Sequence, residues 1–130
     1  MDRLLSRGAI VAGLLAVCAA LATGPCIAAD AVRGKSVFSQ QCGACHSAAK
    51  GGPNLVGPNL YGVLGRPAGS LKGFTYSSAM KSAGFTWSAD RLHDYIGAPA
   101  SVVPGNHMPF AGLKSATQVD DLVAYLKSLD

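Results

Sequence analysis

Apolar residues recur at helical spacing in only a few short windows of the chain. The clearest lies near the C-terminus, where Val119, Leu122, Val123 and Leu126 fall at i, i+3, i+4 and i+7, with Leu129 continuing the stripe and Tyr125 beside it. Ser115 and Gln118 stand as a capping box ahead of this run. A second window, from Ala31 to Gln41, puts Gly34, Val37, Phe38 and Gln41 on one face, with Asp30 as its N-cap. Glycine in mid-helix costs about 1 kcal/mol against alanine, so Gly34 marks close approach by another helix. A third helix starts at Ser88: Asp90 complements the dipole in its first turn, Trp87 and Leu92 have the spacing of a hydrophobic staple, and Gly97 with Pro99 ends it. A shorter helical piece lies between Thr75 and Ala83 and is ended by Gly84.

No segment alternates with period two for more than a few residues, so the pattern predicts an all-α fold of about four short helices. The glycines and prolines gather at 51–73 and 97–112, which makes those stretches long loops. Such a domain is short of core, because its few apolar faces must offset roughly 1 to 2 kcal/mol of backbone entropy per residue. Something besides side chains is expected to fill its centre.

Ahead of Asp30 the pattern changes. Arg3 and Arg7 precede an apolar run from Ala9 to Ala22, and small residues follow up to Ala29, the arrangement of a cleaved secretory signal peptide over residues 1–29. The preferred cut follows Ala29, with Ile27 and Ala29 at the −3 and −1 positions. A retained membrane anchor is the competing reading, but the run falls short of the roughly 20 residues of a spanning helix, and Thr23, Gly24 and Pro25 break it. Acylation at Cys18 or Cys26 is disfavoured by Val17 and Pro25, which stand where a small residue should precede the cysteine. One domain, residues 30–130, then remains, exported to the periplasm.

Composition narrows the function. The whole chain carries a formal charge of +4, and loss of Arg3, Arg7 and Asp2 with the leader brings it to +3, which is not the footprint of a nucleic-acid binder. The leader also removes Cys18 and Cys26, leaving Cys42 and Cys45 to react with each other or with a ligand.

Those two cysteines stand in QQCGACHSAAK, with His46 directly after the second. A zinc site needs four ligands, and only His93 and His107 remain elsewhere. A thioredoxin-like dithiol belongs to a strand-helix-strand setting that this sequence lacks. A bare local disulfide would leave His46 without a role. Covalent haem attachment uses every residue: both thiols add across the haem vinyl groups and the adjacent imidazole reaches the iron. A haem would also supply the missing core.

Two methionines are candidates for the sixth iron ligand. Met80 lies in the helical piece YSSAMKSAG, where methionine usually fills core. Met108 lies in VPGNHMPFAGL, stiffened by Pro104 and Pro109, and is preferred. His107, its neighbour and a stronger ligand, is the rival. His93 reads as a solvated or locally hydrogen-bonded residue.

C-x-x-C-H near the first helix, GPNLYG from Gly57, GRPAG from Gly65, GFTYSSAMKSAGFTW from Gly73 and PGNHMPFAGL from Pro104 occur in that order. With these motifs the chain resembles the class I c-type cytochromes, the group of mitochondrial cytochrome c and its bacterial periplasmic relatives, across essentially all of residues 30–130. The resemblance implies one haem c bound through Cys42 and Cys45, with His46 and Met108 on opposite faces of the iron. It implies that the Pro58 carbonyl receives the other ring N–H of His46. It further implies that Tyr95 hydrogen-bonds near the Met108 sulfur, that Arg66, Tyr76 and Trp87 hold the haem propionates, and that Phe110 covers the haem edge. Gly34, Phe38, Leu122 and Tyr125 match the family's crossing of terminal helices.

Departures from the family pattern are also present. Met80 stands where many members have an asparagine in a buried polar network, and Asn106 replaces a common threonine. Gln41, Ala100, Ser101 and His107 stand at several positions where lysines often ring the docking face, leaving Lys50 and Lys114 among the matches. By resemblance the protein is a monomeric, soluble electron carrier and not an enzyme. Its donor would be a quinol-oxidising cytochrome bc complex or a periplasmic dehydrogenase, and its acceptor a terminal oxidase or a photosynthetic reaction centre. The membrane would be met only through those complexes. The rival readings are a peroxidase-like or gas-binding haem protein, an electron-transfer subunit of a dehydrogenase, and a haem-free thiol enzyme.

Overall fold

Five helices occur in a computed structural model that describes residues 28–129: α1 (Ala31–Gln41), α2 (Ser78–Lys81), α3 (Ala89–Gly97), α4 (Pro99–Val102) and α5 (Ala116–Lys127). The expected leader, apart from Ala28 and Ala29, lies outside the described residues. Local chemistry sets most helix starts. The Asp30 carboxylate accepts from the amides of Val32 and Arg33 at 2.7 and 3.0 Å, and the Ser88 hydroxyl accepts from Arg91 N–H at 3.1 Å. Ser77 caps α2 through Met80 N–H at 3.1 Å, and Ser115 caps α5 through Gln118 N–H at 3.4 Å.

The short helical piece expected between Thr75 and Ala83 is Ser78–Lys81, with the Ser77 hydroxyl at its N-cap position. One expectation is corrected: the stretch after Gly97, read as loop, contains α4. Pro99, at the first position of that helix, has a fixed φ and no N–H to satisfy, so it starts a turn as readily as it ends α3. Val103 N–H closes that turn on the Pro99 carbonyl at 3.0 Å.

α1 crosses α5 at Gly34, and α5 packs in turn on α3, which carries α4. A Cβ on Gly34 would overlap the Asp121 carbonyl and lie 2.8 Å from the Tyr125 Cβ, so the absent side chain is what lets the two backbones approach. Phe38 meets Tyr125 with ring centroids 5.6 Å apart, and Leu122, only 1% exposed, belongs to the same core. Burying that one leucine contributes about 2 to 3 kcal/mol. No strand occurs among the described residues, although residues 65–68 and 85–87 run together through Gly65 N–H to Trp87 O (2.8 Å), Trp87 N–H to Arg66 O (3.0 Å) and Ala68 N–H to Phe85 O (2.8 Å). No described helix is long and apolar enough to cross a membrane.

Gly34→Ala is predicted to lower the unfolding free energy by about 3 kcal/mol, against the ~1 kcal/mol that alanine gains from helix propensity, because the crossing must open. Guanidinium unfolding of the two proteins measures it. A neutral or stabilising change would remove the close approach from the account of the fold.

Candidate functional site

α1 ends where the reactive residues begin. Cys42 N–H and Gly43 N–H both donate to the Phe38 carbonyl at 2.8 Å, and Cys45 N–H and His46 N–H both donate to the Cys42 carbonyl, at 3.0 and 2.9 Å. This tight turn gathers two thiols and an imidazole. Both cysteines are free and half-buried. Burial, with the Cys45 sulfur adding to it, pushes the Cys42 thiol up to about 11, so it stays protonated at neutral pH. A dithiol enzyme needs the opposite, a thiol lowered toward neutrality. Among the described residues no group of three or more His, Cys, Asp or Glu side chains could hold a metal ion.

His46 Nδ1 lies 2.7 Å from the Pro58 carbonyl oxygen. A carbonyl can only accept, so Nδ1 carries the proton and Nε2 is left with a free lone pair. Burial pushes the His46 pKa down and the Pro58 bond offsets part of that, which favours the neutral ring that ligates metals. Gly57 fixes the ring from one side: a Cβ there would fall 2.7 Å from Nδ1 and 2.8 Å from Nε2. Gly57 N–H also donates to the Cys45 carbonyl at 2.8 Å, joining this loop directly to the cysteine turn.

Asn59 holds the loop in place, a role the sequence did not reveal. Its buried amide donates to the carbonyls of Ala49 (2.9 Å) and Gly52 (2.8 Å), and its Oδ1 accepts from Tyr61 N–H (2.7 Å). Its backbone N–H donates to Asn54 Oδ1 at 2.9 Å, and its carbonyl accepts both Arg66 terminal nitrogens at 3.1 Å. Arg66 is thus anchored one residue from Pro58. An asparagine in a glycine-rich loop reads as a turn residue, and nothing in the sequence marks carbonyls seven and ten residues back as its partners.

The remaining expected site residues lie in and around the core. Trp87 and Tyr95 are each 8% exposed and meet edge to face, with centroids 5.0 Å apart. Neither the Trp87 ring N–H nor the Tyr95 hydroxyl has a protein partner among the described residues, yet no buried side-chain polar atom is sealed off unsatisfied, so both open onto accessible space. Burial alone pushes the Tyr95 phenol up to about 12. No hydrogen bond joins Tyr95 to the Met108 sulfur among the described residues. Burial raises the Tyr76 phenol, and the nearby Arg66 charge offsets part of that, so these two expected partners share one neighbourhood.

Met108 sits on a loop tied by Asn106, whose Oδ1 accepts from Met108 N–H and whose Nδ2 donates to the Val103 carbonyl, both at 2.9 Å. Phe110 N–H closes on the Met108 carbonyl at 2.8 Å. Met80, by contrast, is buried in the core at 8% exposure. Cys42, Leu60, Leu64, Met108 and Phe110 pack against the core while staying half-exposed. That is apolar surface of the kind a large flat group would cover. Two free thiols on one turn, an imidazole with Nε2 unspent and a thioether on a braced loop make a donor set that fits a haem.

Asn59→Ala should strand the Ala49 and Gly52 carbonyls and the Tyr61 amide, a loss of about 3 kcal/mol at roughly 1 kcal/mol or more for each buried group left unpaired. Urea unfolding monitored through Trp87 measures the loss. Stability within about 0.5 kcal/mol of the parent would contradict the role assigned to Asn59.

Known proteins bear on this arrangement. The sequence model of the family described as Cytochrome c matches residues 31–130. The chain is 43% identical to cytochrome c2 of Blastochloris viridis over 121 residues, 93% of each chain. It is 47% identical to cytochrome c of Chlamydomonas reinhardtii over 100 residues, covering 77% of this chain and 89% of that one. With cytochrome c2 of Afifella marina it shares 49% identity over 100 residues, 75% of this chain and 80% of that one. Their breadth along the chain, together with the paired thiols and the oriented imidazole, makes this protein a member of the cytochrome c family, a class I c-type cytochrome with one haem c held covalently through Cys42 and Cys45.

Proposed function

We propose that the protein is a soluble, monomeric periplasmic electron carrier whose haem iron is held by His46 and Met108. The observation that carries this reading is the bond from His46 Nδ1 to Pro58 O at 2.7 Å, which commits one ring nitrogen and aims the other. A bound haem would supply a one-electron Fe(III)/Fe(II) couple, and a methionine with a histidine on its iron would favour the reduced form. Everything else falls to the chain. Pro58 and Gly57 keep the imidazole in one tautomer and one orientation. Asn106, with Pro104 and Pro109 flanking, braces the Met108 loop so that a weak thioether stays in place. Arg66, Tyr76 and Trp87 offer N–H and O–H donors to the propionates, and Phe110 shields the ring edge from water. With His46 and Met108 both on the iron, no place would be left there for a substrate, which favours a carrier over an enzyme.

The leader over residues 1–29 would deliver the chain to the periplasm, in keeping with its likeness to bacterial cytochromes c2. There the donor is a quinol-oxidising cytochrome bc complex or a dehydrogenase, and the acceptor a terminal oxidase or reaction centre. Electrostatic steering toward these partners is weak. Among the docking lysines that remain, Lys50 lies 5.9 Å over the Tyr61 ring and Lys114 Nζ donates to the Ala111 carbonyl at 2.9 Å. Leu55 and Val56, 47% and 74% exposed, add apolar surface beside the loop that bonds the cysteine turn.

Visible and near-infrared spectra of the periplasmic protein test the ligand set. The weak thioether-to-iron band should vanish in Met108→Ala and persist in Met80→Leu, and the reduced parent protein should not bind carbon monoxide rapidly at neutral pH. A band that follows Met80, or rapid stoichiometric carbon monoxide binding, would overturn the reading. The bimolecular electron-transfer rate should fall no more than about threefold between roughly 10 and 200 mM ionic strength. A drop of an order of magnitude or more would show a docking face governed by charge.

A further inference from the structure

We infer that the Asp121 carboxylate is a docking site for a newly cut N-terminus: hydrolysis of the Ala29–Asp30 peptide bond leaves the α-ammonium of Asp30 ion-paired with Asp121 beside Arg33. Asp121 lies on α5, and its side chain is only 4% exposed. Oδ2 accepts Arg33 Nε at 2.8 Å, while Oδ1 accepts Arg33 Nη2 at 2.9 Å and the backbone N–H of Asp30 at 2.7 Å. A buried charge persists only when it is paired and hydrogen-bonded. The pairing here is incomplete, because the Asp30 carboxylate also leans on Arg33, at 3.3 Å from Nη1. Two carboxylates share one guanidinium, so the cluster is one positive charge short.

Cleavage supplies that charge at the atom already in place. Water adds across the amide under an export peptidase, Ala29 departs as a carboxylate with the residues before it, and the Asp30 nitrogen gains protons. Ala28 and Ala29 are exposed and precede α1, so the bond lies outside any helix. Arg33 loses one bond, Nη2 to the Ala28 carbonyl at 2.8 Å, on its exposed side where water can replace it. A cation at the start of α1 opposes the helix dipole, and the capping Asp30 carboxylate offsets that. The groups facing the new ammonium are the N-cap Asp30, Arg33 from α1 and Asp121 from α5, with uncharged Gly34 and Tyr125 at the crossing. Asp120, the preceding residue on α5, is turned to His93, 3.4 Å away.

The ion pair raises the folded-state pKa of the amine, so its stabilisation is complete below the unfolded value and is lost as pH rises through the folded one. Two measurements on holoprotein from the periplasm decide the matter, and both are independent of electron transfer. Intact mass should place Asp30 first. After ¹³C-dimethylation, NMR should show the α-amine binding its proton at least tenfold more tightly than in the same protein unfolded in guanidinium, where about 7.7 to 8.0 is ordinary. The shift should disappear in Asp121→Asn and survive in Asp120→Asn. If Asp121→Asn does not fold, a version retaining Ala28 and Ala29 should show an ordinary amine and a lower Tm below pH 8. A chain beginning at another residue, an amine that titrates as in the unfolded state, or a shift that survives in Asp121→Asn or in the extended version would each overturn the inference.

Discussion

The bond between His46 Nδ1 and the Pro58 carbonyl is the point through which the rest of this structure acts. It fixes the proton on one nitrogen and so decides what the other can do. It also needs two segments at once. The cysteine turn exists because α1 stops at Gln41 and folds back on the Phe38 carbonyl. Pro58 is in reach because Gly57 leaves room for the ring and Asn59 pins the loop behind it. The terminal-helix crossing at Gly34 lies upstream of both, since it fixes where α1 points when it releases Cys42.

How much of this could be read from the sequence followed from the range of the interactions. Helix caps act within three residues, so Asp30, Ser88 and Ser115 announced their helices, and the apolar period supplied the rest. α4 escaped because four residues carry no period, and its proline looked like an ending. The haem motif is local as well, and Met108 stood out from Met80 because prolines flank it. Asn59 and Asp121 could not be seen in this way. Asn59 works through carbonyls that carry no sequence signature, and Asp121 pairs with Arg33, 88 positions away, from within a helix whose apolar stripe reads the same without it. Gly34 lies between these extremes: the sequence showed that a helix must come close, and its partner came from the resemblance to known terminal-helix crossings.

The composition of the core ties fold to function. The side chains that pack the helix crossing are few, and Cys42, Leu60, Leu64, Met108 and Phe110 are left half-exposed around it. A covalent haem lying on that surface would turn it into interior, so that the redox group would also complete the fold. Its covalent links to Cys42 and Cys45 keep it from being lost.

Calorimetry of the chain prepared without haem tests this dependence most directly. Without the haem, residues 30–130 should give no cooperative heat-absorption peak and little near-ultraviolet dichroism from Trp87, while the haem-bound form unfolds in one transition. A haem-free chain that unfolds cooperatively, with an enthalpy near the usual ~0.7 kcal/mol per residue, would show that the side chains alone make the core.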